Sequence, residues 1–232
     1  MRRLVLVLSV VGLLSLSSSQ ALATPLFIHP AVWSGNGTNV GVGLASQTTS
    51  GGNTNGFVAF DNFSFAAATT FNEVTWFGFY LGSNDTDGPP HTSRWDLLIN
   101  ADNAGAPGLL IGGQLNANVL RTTLGLGLVG VPVTVYQFTA EIPTFTAAAG
   151  TTYWLAPVSV APQTTVPTFF WIEGTGGDSI SDLVQLTNGV VSSQFFSATD
   201  RAFSIAAVPE PATIGLLALG LSGLAVRRRR SS

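Results

Sequence analysis

The sequence predicts an all-β domain, a two-sheet, jelly-roll-like β-sandwich flanked by an N-terminal signal helix and a C-terminal hydrophobic helix. Three observations predict it. The 3.6-residue periodicity of helices is almost absent between the ends. Short apolar runs rich in aromatic and β-branched residues recur instead, and Gly, Thr, Ser and Asn punctuate them, with 26 glycines in 232 residues. The boundaries read as 1–23, 24–207 and 208–232.

Residues 1–23 have the order of a secretory signal. Arg2 and Arg3 give a positive start, residues 4–16 an apolar run, and Ala21, Leu22 and Ala23 a small-x-small cleavage site before Thr24. The run falls short of the roughly 20 apolar residues of a membrane span. Residues 34–56, dominated by Gly, Ser, Asn and Thr, read as an irregular loop crossed by one weak strand.

Residues 74–81 are apolar at nearly every position and read as a central strand, buried on both faces or covered by loops. Residues 94–100 alternate, which turns Trp95, Leu97 and Ile99 inward and Arg94, Asp96 and Asn100 mainly outward. Further strands are expected at 56–60, 109–114, 133–141, 151–158, 168–172, 193–196 and 201–205, while 120–131, interrupted by Gly125, Gly127 and Gly130, stays ambiguous. Eight or nine strands with turn-rich links favour a sandwich over a barrel. The loop Asp102-Asn103-Ala104-Gly105-Ala106-Pro107-Gly108, with the later Gly150-Thr151-Thr152-Tyr153-Trp154, resembles a recurrent β-sandwich module of exported bacterial proteins over residues 57–205. That resemblance implies a fold and brings no catalytic residues.

Only 9% of the chain is charged, against about 25% in ordinary soluble domains. Six of its nine basic residues sit at the ends, and lysine is absent. Residues 24–208 keep Arg94, Arg121 and Arg201 against 11 acids, a formal charge of −8. Binding to a nucleic-acid backbone needs clustered Lys and Arg and is excluded. The absence of cysteine excludes disulfides and thiolate metal sites.

The inventory for catalysis is thin, and no catalytic residue is assigned. His29 and His91 are the only histidines, both read as surface loop residues, and neither G-x-S-x-G nor H-E-x-x-H occurs. Asp61, Glu73, Asp96, Glu141 and Glu173 could supply a glycosidase carboxylate pair, although three arginines leave most acids to be satisfied by solvent or calcium. No cofactor is expected beyond calcium, for which Asn84, Asp85 and Asp87 place oxygen ligands at alternate loop positions; Asp102 with Asn103, or Asp178 with Asp182, are weaker candidates. The same residues also read as Asx-rich turns. Among the five tryptophans, Trp76, Trp95 and Trp154 lie in apolar strands and read as core, whereas Trp33 and Trp171 are the candidates for stacking on sugar rings.

The C-terminal element combines three features. Pro209, Glu210 and Pro211 form a stiff, extended tripeptide; residues 214–226 form an apolar segment; and Arg227, Arg228, Arg229 and Arg230 close it, on the cytoplasmic side by the positive-inside rule. In that order the three resemble the PEP-CTERM sorting signal of Gram-negative bacteria. The resemblance implies an exosortase and the inner membrane as transient partners, removal of the helix, and transfer to the cell surface or extracellular matrix. The resulting expectation is an exported, non-enzymatic protein of the cell surface or exopolysaccharide matrix, with exopolysaccharide as its candidate partner. A carbohydrate-binding module is the alternative and a polysaccharide hydrolase the third.

Overall fold

The computed structural model describes residues 24–49, 55–81, 94–162 and 168–207. Both expected terminal helices, most of the cleavage site (Ala21 and Ala23), the sorting residues 209–211 and 227–230, His91 and the loop with Asn84, Asp85 and Asp87 lie outside them. Within them the chain forms strands β1 Thr24–His29, β2 Thr38–Asn39, β3 Leu44–Ala45, β4 Gln47–Thr49, β5 Gly56–Phe63, β6 Thr69–Leu81, β7 Arg94–Asp102, β8 Pro107–Ala117 and β9 Val119–Leu128. They continue as β10 Pro132–Ala147, β11 Tyr153–Ala161, β12 Thr168–Trp171, β13 Glu173–Gly174, β14 Ser181–Thr187, β15 Val190–Ser197, β16 Asp200–Arg201 and β17 Phe203–Ala207. The described residues contain no helix.

Two sheets carry these strands. One runs β1-β17-β6-β10-β9-β2, with β12 joining β6 and β3; the other runs β15-β14-β5-β4-β11-β7-β8, with β5 also pairing directly with β11. A separate ladder joins β13 to β16. Taking β1, β5, β6, β7, β8, β10, β11 and β17 in chain order as strands one to eight, the sheets read 1-8-3-6 and 2-7-4-5. This is the strand order of a jelly roll, in which each long connection crosses between sheets. β9 widens the first sheet beside β10, and the β14–β15 hairpin widens the second beside β5.

The sheets meet over an aromatic core, closed within Pro25–Ala207. Val74 and Trp76 on β6 and Phe138 on β10 point into it from one sheet, and Trp95, Leu97 and Ile99 on β7 with Leu155 on β11 from the other; all are buried. Trp76 stacks on Phe138 at 5.5 Å and 14° and meets the edge of Trp95 at 5.1 Å. Offset and edge-on ring pairs of this kind add to the area term of burial. β11 is buried at every position because the core covers one face and a second cluster, Val58, Phe60, Trp154, Ala156 and Val158, forms on the other. Gly78 on β6 is required by close approach: a Cβ there would sit 2.2 Å from the Phe169 ring.

Several sequence expectations are corrected. Asp96 and Asn100 lie, as expected, on the face of β7 away from Trp95, Leu97 and Ile99, but both are buried there and not solvent-exposed. Asp96 accepts the Asn116 N–H at 2.8 Å, and the Asn100 amide donates to the Gly108 carbonyl at 2.7 Å. Residues 34–56 carry three short strands in place of one, and 120–131 resolves into most of β9. β1 and β14 were not expected.

Candidate functional site

Side-chain alternation in β1 builds the most polar part of the interior. Leu26 and Ile28 are exposed, which turns Phe27 and His29 to the other face. The expectation of a surface histidine is wrong: His29 is 3% exposed. Its ring lies edge-on to Phe203 at 5.0 Å, and its Nδ1 is 3.0 Å from the Oδ2 of Asp61, a fully buried residue of β5. The same oxygen accepts the backbone N–H of Arg201 at 2.7 Å, and Asp61 Oδ1 accepts the N–H of Asn62 at 2.9 Å. Asp61 thus needs neither solvent nor calcium.

β16 brings two further charges. Asp200 accepts the N–H groups of Gly177 at 2.9 Å and Ser179 at 2.7 Å, one on each oxygen. The fully buried guanidinium of Arg201 donates to the carbonyl of Val42 at 2.9 Å and to the carbonyl and hydroxyl of Thr199. Burial pushes the Asp61 carboxyl up to about 6, against the lowering effect of its bonds to His29 and the Arg201 N–H. Burial also lowers the Arg201 guanidinium, against the charges of Asp61, Glu173 and Asp200. Gly177 leaves room for this centre, since a Cβ there would lie 2.5 Å from His29 Cε1 and 2.6 Å from Asp200 Oδ1.

Ligand atoms of His29, Asp61 and Asp200 lie within 4.8 Å of one another, close enough to share a metal ion. Asp61 Oδ2 is already engaged by two partners and each Asp200 oxygen by one, and the neighbouring Arg201 adds positive charge that opposes a cation. The arrangement is a closed hydrogen-bonded tie among β1, β5 and β16.

Of the five carboxylates considered for glycoside chemistry, Glu73 and Glu141 are brought together and Asp61, Asp96 and Glu173 lie elsewhere. Glu73 and Glu141 stand directly opposite one another on β6 and β10, on the face away from the core because Val74 and Trp76 point inward. Burial, then the charge of Glu141, raises the Glu73 carboxyl. Asp61 and Asp96 are buried in internal bonds, and Glu173 accepts the N–H of Val42 at 3.0 Å. The weaker calcium candidates are also engaged. Asp102 accepts the Trp154 indole at 2.9 Å, Asp178 the Asn62 amide at 2.8 Å, and Asp182 the Gln194 amide.

Of the two candidate sugar platforms, Trp171 is fully buried. Its indole donates to the Ala202 carbonyl at 2.8 Å and its ring meets the edge of Phe203, so it presents no face to a ligand. Trp33 is half-buried against the cluster of Val40, Phe79, Val133 and Val135. Sequence reasoning missed the His29–Asp61–Arg201 tie, because residues 26–29 show no apolar–polar alternation that marks His29 as inward.

Residues 207–230 match the family model of the PEP-CTERM protein-sorting motif. No curated protein and no solved structure matches the chain. The molecule is an all-β protein carrying a C-terminal sorting signal. It is an exosortase-sorted protein, exported, processed at the membrane and destined for the outside of the cell.

Proposed function

We propose that the protein is a non-enzymatic component of the cell surface or exopolysaccharide matrix, a jelly roll delivered by its sorting signal. One observation carries this reading. β17 ends at Ala207, where the sorting motif begins, so processing near Pro209, Glu210 and Pro211 leaves every strand of the sandwich in the delivered product. The carboxylates of Asp61 and Asp200 are engaged in internal bonds, which supports a structural role for them. The lysine-free, acidic body resists association with anionic lipid after release.

Fractionation tests it. The processed protein is expected with the extracted exopolysaccharide, with no new reducing ends when the purified body is incubated with that polymer; free release into the medium contradicts the matrix role. A saturable change in tryptophan fluorescence, abolished by Trp33→Ala, would instead make it a carbohydrate-binding module. Repeating the titration in EDTA tests calcium at Asn84, Asp85 and Asp87.

A further inference from the structure

The second sheet ends in two open edges, β8 and β15. Neither strand contains a charged residue. Leu109, Leu110, Ile111 and Leu115 are exposed along β8, and Val190, Val191, Phe195 and Phe196 along β15. Sandwich proteins ordinarily blunt such edges with lysines or inward charges, because unpaired N–H and C=O groups template another strand. This chain has no lysine to do so; β8 is bulged against β7 at three places, but no described strand pairs with its outer side or with that of β15.

We propose that copies of this protein join head to tail, β15 of one pairing with β8 of the next, to give an open filament. Strand sense supplies the first argument. The pairings β15–β14, β14–β5, β5–β11, β11–β7 and β7–β8 are all antiparallel, so β15 and β8 run in opposite directions. A second copy placed beyond the edge in the same orientation continues the alternation, and β15 meets β8 as an antiparallel pair. Charge supplies the second. The body carries −8, and its acids lie on other strands and loops, so contact through these two strands puts no carboxylate in the pairing strands themselves.

Shape supplies the third argument. An open groove of about 290 Å³ runs along β8, lined by Leu97, Leu110, Ile111 and Leu115 with Gln114 as its polar member. It is a largely apolar seat beside the backbone edge, and the exposed phenyl rings of Phe195 and Phe196, on opposite faces of β15, let the partner edge bring one ring to it. The two contact surfaces differ, so the contact is heterologous and does not close on itself. Sheet twist turns each added copy relative to the last, which makes the filament helical. This inference concerns the folded body and does not depend on where the cell delivers it.

The body closes its core within Pro25–Ala207, so the test uses residues 24–207. Sedimentation velocity is expected to show species that grow with concentration. Leu109→Lys in β8 and Phe196→Lys in β15 change exposed side chains and leave the core intact; each alone is expected to remain monomeric. An equimolar mixture of the two is expected to form one-to-one dimers and nothing larger, because each retains the edge that the other lacks. A wild-type body that stays monomeric at millimolar concentration overturns the proposal. So does either lysine variant dimerising alone, or a mixture that stays monomeric, and circular dichroism of each variant excludes misfolding as the cause.

Discussion

His29 Nδ1 lies 3.0 Å from Asp61 Oδ2, the oxygen that also accepts the backbone N–H of Arg201 at 2.7 Å. One buried carboxylate therefore joins the first strand after the expected signal cleavage site, a strand of the opposite sheet, and the segment that leads into the last strand before the sorting motif. Removing the imidazole leaves Asp61 its backbone bonds from Arg201 and Asn62 but takes away one partner of a buried carboxylate, which has a cost because water does not replace it.

His29→Leu should accordingly lower the unfolding free energy by about 1–3 kcal/mol. Urea denaturation of the body measures this; a loss below about 1 kcal/mol would mean that Asp61 is satisfied without the imidazole.

Asp61 also sets a pH dependence. Its carboxyl is raised from 3.8 to about 6, chiefly by burial. A raised folded-state pKa contributes stability that is complete below the unfolded value and lost as pH rises through the folded one. Asp61 alone should therefore make the body about 2 kcal/mol more stable near pH 4 than near pH 7, and Glu73 and Asp182, raised in the same direction, add to the slope. Melting temperatures across this range check the sign, and Asp61→Asn should remove most of the slope. A wild-type profile rising toward pH 7 contradicts this assignment.

Gly78→Ala tests the packing of the central strand. The added methyl would lie 2.2 Å from a Phe169 ring that is itself fully buried, so the ring or the strand must shift. A cost of about 1–3 kcal/mol is expected, read from the denaturation midpoint.

Trp171→Ala and Trp33→Ala separate core from surface. Truncating the buried Trp171 should cost about 3–5 kcal/mol through the cavity it leaves, whereas truncating the half-buried Trp33 should cost much less. Comparable losses in the two would place Trp33 in the core as well.

Much of this architecture was legible in the residues. The run 74–81 announced a central strand because such a strand, covered on both faces, can be apolar at every position, and the alternation of Trp95, Leu97 and Ile99 announced its inward face. β14 stayed hidden because Ser181, Asp182 and Gln185 interrupt its apolar residues: Ser181 and Asp182 are buried, with hydrogen bonds from the Ser181 hydroxyl to Thr199 and from the Gln194 amide to Asp182. β1 stayed hidden because its outward residues, Leu26 and Ile28, are as apolar as its inward Phe27. The tie could not be read at all. His29 and Asp61 are 32 residues apart and Asp61 and Arg201 are 140 apart, so only the wrapping of the jelly roll brings them together. The sorting signal lay at the opposite extreme, because its three parts are contiguous and need no fold to be recognised.

Sorting is the central claim, and the most direct test follows Glu210→Ala through fractionated cells, with the intact mass of the wild-type product fixing its new C-terminus. Wild-type protein should be recovered outside the cell, ending near Pro209, Glu210 and Pro211 and lacking residues 214–226 and the terminal arginines, while the variant stays uncleaved in the membrane fraction. Release of the variant with the same processed mass as wild type would contradict recognition of this segment by an exosortase.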